Sequence, residues 1–94
     1  MENQHRQIKG YRELSQQEID LMNRIKEKGA ELLTLQAELT SMIGQQHYDK
    51  SQGPADEFER FEAAEPMRWA NIGKTDIQTG VMALVRSVAQ PEGV

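Results

Sequence analysis

The chain has 94 residues, 37% of them hydrophobic and 28% charged, with a formal net charge of −4 and no cysteine. That length allows one domain at most, and the missing cysteines exclude disulfides, thiolate nucleophiles and cysteine zinc sites together. The acidic balance argues against a duplex-binding protein, whose contact face is ordinarily basic, and no run of about 18 apolar residues offers a membrane span.

Residues 1 to 14 form a polar arm carrying Arg6, Lys9, Gly10, Tyr11 and Arg12, with Ile8 and Leu14 its only aliphatic residues after Met1. Gly10 suggests a turn, and Leu14 stands where a hydrophobic staple would precede a helix. Tyr11 is either an anchor onto the following helix or a platform for a flat ligand.

From Ser15 to Gln46 the spacing predicts one long amphipathic helix. Ser15 with Glu18 three positions on is a capping-box pair, each side chain able to satisfy a backbone N–H at the helix start. Met22, Ile25, Gly29, Leu32, Gln36, Leu39 and Ile43 then recur in steps of three and four, the rhythm of a seam against another helix. At 1.5 Å per residue such a helix is roughly 45 Å long, too long for a compact monomer of this size. One residue is out of place. Lys26 projects between Ile19, Met22 and Leu33, where an ammonium must snorkel to water, find a carboxylate or meet an anionic ligand.

Residues 47 to 66 read as a polar, acidic connector: His47 to Gln52 are polar, and Gly53 and Pro54 are strong breakers. Ala55 to Glu65 then reads as a short acidic helix with Phe58 and Phe61 on one side. Pro66 marks a boundary or the first turn of the next helix. Met67 to Gln90 is the second long helix, ended by Pro91, with Ala70, Ile77, Val81, Leu84 and Val88 as its seam. Gly73, Gly80 and Ser87 recur beside it every seven residues, and internal glycines cost a helix about 1 kcal/mol each relative to alanine. Close helix contact and close ligand approach are the two available reasons, and Gly29 raises the same question. No strand alternation occurs. The expected fold is an all-α antiparallel helical hairpin with an N-terminal arm, gaining stability through self-association because a lone hairpin leaves much apolar surface wet.

Catalysis has no clear candidate. Gly73-Lys74-Thr75 lacks the glycine five positions earlier that a P-loop requires, since Arg68 stands there. His47 and Asp49 are too few for a metal site, and the carboxylates of 56 to 65 form a solvated face rather than a positioned pair. Binding fares better. Residues 1 to 28 hold six of the eleven Lys and Arg against five acids, whereas residues 49 to 65 hold six acids against two bases. Arg6, Lys9, Arg12, Arg24 and Lys26 with the ring of Tyr11, near a helix N-terminus, suit a small anionic ligand with flat bases.

Two blocks carry a family resemblance. His5-Arg6-Gln7-Ile8-Lys9-Gly10-Tyr11-Arg12-Glu13-Leu14-Ser15 continues through Glu18-Ile19-Asp20-Leu21-Met22-Asn23 to Ile25-Lys26. The second runs from Gly73-Lys74-Thr75-Asp76-Ile77-Gln78-Thr79-Gly80 to Val81-Met82-Ala83-Leu84-Val85-Arg86 and closes with Val88-Ala89-Gln90-Pro91. Together they resemble the small tailed-phage anti-CBASS proteins, which disarm cyclic-oligonucleotide-based antiphage signalling by sequestering its messenger. The resemblance spans roughly half the chain and omits the acidic stretch from Asp49 to Glu65.

It implies a hairpin protein that assembles as a homohexamer in the host bacterial cytoplasm and holds cyclic dinucleotides such as cyclic GMP-AMP between protomers, without cleaving them. A tyrosine in the Gly-Tyr-Arg block of that family stacks on a base, and the lysine of the later Ile-Lys pair meets phosphate. The matching positions here are Tyr11, beside Arg12, and Lys26. Some members also hold cyclic trinucleotides where three protomers meet, through an arginine near the start of the last helix. Arg68 is the nearest such residue, although Met67-Arg68-Trp69 lies outside both blocks. The implied protein is neither an enzyme nor a carrier of a metal or cofactor, and binds neither DNA nor membrane. The alternatives are a helical adaptor with only protein partners and an enzyme that degrades the messenger.

Overall fold

The computed structural model describes residues 12–93. Three helices follow in order: α1, Gln16–Ser51; α2, Ala55–Ala64; and α3, Pro66–Ala89. The start of α1 is the expected capping box, with the Ser15 hydroxyl accepting from Glu18 N at 3.2 Å and Ser15 N donating to the Glu18 carboxylate at 2.9 Å. The polar connector expected from His47 begins only at Gln52. His47 to Ser51 continue α1, because polar side chains do not break a helix that is still hydrogen-bonded. Gly53 and Pro54 do end it.

Between α2 and α3 a single residue turns the chain. Glu65 adopts left-handed φ 50° and ψ 52°, and Pro66 follows in the first turn of α3. Proline is tolerated there because its missing N–H would have no intrahelical partner. Gln90, at φ 50°, closes α3 before Pro91.

Helices α1 and α3 form the long hairpin, with α2 folded against the tip of α1. Ile43, Phe61 and Ala70, one from each helix, are the only buried hydrophobic side chains among the described residues. Lys50 helps tether α2: its Nζ lies 3.0 Å from Glu57 Oε1 and 5.9 Å from the Phe61 ring centre. Along the hairpin, Gly29 is buried against Val81, and Gln36 Nε2 donates to Ala70 O at 2.9 Å, locking the register. The seam of α1 differs from the expected one in part. Met22, Ile25, Gly29, Gln36 and Ile43 face inward, but Leu33 and Thr40 stand between them, while Leu32 and Leu39 are exposed. On α3 the same correction applies to Leu84, which is exposed while its neighbour Val85 is half-buried.

The molecule measures 68 × 23 × 17 Å with a radius of gyration of 20.5 Å. A compact chain of this length has a radius near 12 Å, so the protein is a rod with little interior. No helix is long and apolar enough to cross a membrane among the described residues.

Candidate functional site

Arg12 is held at the open end of the hairpin. Its Nη2 donates to Val88 O at 2.7 Å and to the Glu18 carboxylate. A guanidinium on a carbonyl in the last turn of α3 is favoured by the dipole of that helix as well as by the hydrogen bond. The Arg12 contact, then the Ser15 backbone N–H, hold the Glu18 carboxyl below the usual carboxylate range. One of the four residues singled out from the sequence therefore already joins the entry into α1 to the exit from α3.

Lys26 lies further along α1, separated from the capping residue by about 16 Å of helix axis. Ile19, Met22 and Leu33 around it are half-buried, but Lys26 itself is exposed and no described residue pairs with it. It stands on the shoulder of the apolar face rather than within the seam. Tyr11, which the resemblance would use with it, lies outside the described residues.

Arg68 occupies the other end of the rod. Its guanidinium is 4.0 Å from Glu65 and 5.1 Å from the Trp69 ring centre, and it borders a pocket with Ile43, His47, Phe61 and Met67. That pocket is roughly 25 Å along α1 from Lys26, measured by helical rise. Within one chain, then, Lys26 and Arg68 cannot contact the same small ligand.

The tip also holds two residues that the sequence pattern understated. His47, expected in a solvated loop, packs its ring against Phe58 at 5.3 Å and Phe61 at 6.2 Å, with Nε2 3.9 Å from Glu62. Trp69 is more than half exposed under the Arg68 guanidinium. The signal for it was its being the one tryptophan in the chain, on a helix with no other aromatic residue. Asp49, two helical positions from His47, points elsewhere and accepts from Gln45 Nε2 at 3.0 Å.

Comparison with known sequences identifies the architecture. The profile of the Acb2/Tad1 hairpin domain matches residues 3–89. The chain belongs to this family. It is similar to Anti-CBASS protein 2 of Pseudomonas phage JBD67, at 57% identity over 107 aligned positions covering 99% of both chains. The match to the hairpin domain thus runs through the acidic α2 region as well as through most of the two blocks, whose described residues lie side by side in the half of the rod nearer its open end.

Proposed function

We propose that this protein is a phage immune-evasion sponge: it binds cyclic dinucleotides such as cyclic GMP-AMP in the host cytoplasm, releases them intact and so starves CBASS effectors of their activator. The observation that carries this reading is the full-length similarity to Anti-CBASS protein 2, joined to an exposed lysine, Lys26, on a rigid helix shoulder at the position the family resemblance uses for phosphate. A cyclic dinucleotide presents two phosphates and two flat bases. A cation with no carboxylate partner among the described residues suits the first, and the ring of Tyr11 suits the second.

Assembly is part of the proposal. With Arg12, Lys26 and Arg68 spread along a rod, a ligand small enough to be a dinucleotide gathers several of them only from different copies, so binding sites lie between protomers of a homo-oligomer, a hexamer by resemblance. Arg68, backed by Trp69, is the residue proposed for a separate cyclic trinucleotide site. A rigid helix loses little freedom on binding, which favours affinity high enough to compete with an immune receptor.

The test is calorimetry of the purified protein with cyclic GMP-AMP and a panel of cyclic di- and trinucleotides, followed by heat denaturation and recovery of the ligand. Tight binding with intact nucleotide returned supports the sponge. Recovery of linear products indicates an enzyme, and absence of binding to every cyclic nucleotide leaves only a protein-binding adaptor.

A further inference from the structure

At the open end of the hairpin, each charge of one ion pair sits at the helix terminus that favours it. Glu18 is in the first turn of α1, where the helix dipole attracts an anion. Val88, whose carbonyl accepts from Arg12, is in the last turn of α3, where the dipole attracts a cation. One nitrogen serves both partners: Arg12 Nη2 donates to Glu18 Oε2 and, at 2.7 Å, to Val88 O. The other Glu18 oxygen accepts from Ser15 N at 2.9 Å, so a single carboxylate closes the capping box and holds the arginine. The two side chains keep only 35% and 31% of their surface in solvent.

This arrangement leaves Arg12 little to offer a phosphate. A guanidinium already paired with a carboxylate must leave that partner before it meets another anion at full strength. Its place in the chain says more. Tyr11, outside the described residues, is the next residue toward the N-terminus, and across a trans peptide consecutive Cα atoms are about 3.8 Å apart. Whatever fixes Arg12 therefore fixes the point from which the Tyr11 side chain starts. Lys26 needs no such anchor, being carried on the body of α1.

We infer that Arg12 and Glu18 are positioning residues for Tyr11: together they tie the arm to both long helices beside the tyrosine, and so preset its ring for the ligand instead of touching phosphate themselves. This rests on the sponge reading above, in which Tyr11 stacks on a base. An aromatic platform whose root is already held loses less freedom on binding, which raises its contribution to affinity. Both contacts lie within one chain, so the anchor requires neither a partner copy nor a ligand.

The experiment is calorimetry with cyclic GMP-AMP at low and high salt on Arg12→Ala and Glu18→Gln, each made in the wild-type and Tyr11→Ala backgrounds. Glutamine serves a capping box as glutamate does, so Glu18→Gln tests the arm rather than the helix start. In the wild-type background each variant is expected to raise Kd roughly threefold to tenfold, the factor that ordering one side chain represents, with the salt dependence unchanged. In the Tyr11→Ala background each is expected to change Kd no further, because its effect passes through the missing ring. Direct contact between Arg12 and phosphate predicts the reverse: Glu18→Gln tightens binding by releasing the guanidinium, and Arg12→Ala flattens the salt dependence and keeps its full cost without the tyrosine. A staple that only holds the hairpin together likewise costs the same in both backgrounds. Either pattern overturns the proposal.

Fluorine NMR of ligand-free protein carrying fluorotyrosine reads the anchor without nucleotide. The chain has two tyrosines, and Tyr48, exposed near the other end of the rod, is the internal control. The Tyr11 resonance is expected to move in Arg12→Ala and Glu18→Gln while that of Tyr48 stays. A Tyr11 resonance unmoved in both variants overturns the positioning role, whether or not nucleotide binds. A wild type that binds no cyclic nucleotide, but whose Tyr11 resonance answers to both variants, supports the anchor and sinks the sponge reading.

Discussion

Gly29 and Val81 touch across the hairpin so closely that a Cβ added to the glycine would lie 2.5 Å from Val81 Cγ2. The backbone of α1 therefore approaches α3 nearer here than any other residue type allows, and the crossing of the two helices is set by a missing methyl. Gly29→Ala gains about 1 kcal/mol of helix propensity but must displace a β-branched side chain with little rotamer freedom, at about 1–3 kcal/mol. The expected outcome is a net loss of stability in urea denaturation, whereas Gly44→Ala, which meets nothing within 4 Å, is expected to gain up to about 1 kcal/mol. Equal effects from the two would show that the close crossing is not what Gly29 provides.

The Arg12 guanidinium joins two ends of the chain 76 positions apart. Arg12→Ala removes the donor to Val88 O and the partner of Glu18, two contacts whose loss together is expected to cost about 1 kcal/mol at this exposed site. Hydrogen exchange reads it directly: amides in the last turn of α3 and the first turn of α1 are expected to exchange faster, while those around Ile43 keep wild-type protection. Unchanged exchange at both ends would mean the clamp does not operate in solution, freeing Arg12 for ligand alone.

The helices were legible in the sequence where local chemistry is decisive. Ser15 and Glu18 announce the start of α1, and Gly53-Pro54 and Pro66 announce the breaks on either side of α2. Which apolar stripe faces α3 was not legible. Leu32 and Leu39 obey the same three-and-four rhythm as Leu33 and Thr40, and periodicity identifies faces without naming their partners. Gly29 against Val81 and Gln36 on Ala70 O decide between them, and both are contacts between distant residues. For the same reason Arg12 read as a ligand cation, since nothing near it in sequence reveals Val88 O. Lys26 read as an oddity within the apolar seam from its aliphatic neighbours, but it stands exposed on the shoulder of that face, because its exposure depends on where α3 passes.

Glu57 pairs within α2 with Arg60, at 2.6 Å, and ties that helix to α1 through Lys50, at 3.0 Å. Those hydrogen bonds, Arg60's first and Lys50's second, lower its carboxyl from 4.5 to about 2. A carboxyl lower in the folded than in the unfolded chain contributes stability that is complete above the unfolded value and lost as pH falls toward the folded one. The hairpin tip is thus expected to weaken between pH 4.5 and about 2, and Glu57→Gln to remove that part of the acid sensitivity. Thermal melts at stepped pH on both proteins check it, and parallel curves would assign the acid response to other carboxylates. Because Glu57 is on the surface, the effect is expected to be small and reduced by salt.

Lys26 separates a binding role from a structural one, because its side chain is exposed and no described residue pairs with it. A surface lysine on a long helix can be replaced by alanine with a change in stability within about 0.5 kcal/mol. If it meets a phosphate of the bound nucleotide, losing a charge-assisted contact worth about 1.5–3 kcal/mol raises Kd by roughly tenfold to a hundredfold. Lys26→Ala is therefore expected to melt like wild type yet bind cyclic GMP-AMP at least ten times more weakly in calorimetry, with Lys26→Arg keeping much of the affinity because the charge remains. Tyr11→Ala is expected to weaken binding through the lost base stack, by about 1–3 kcal/mol, without the change in salt dependence that removal of a phosphate-facing cation brings. That contrast matters, since a general collapse of the assembly would lower affinity in both variants with the same salt response. Wild-type affinity in both would detach the nucleotide from this shoulder of α1 altogether.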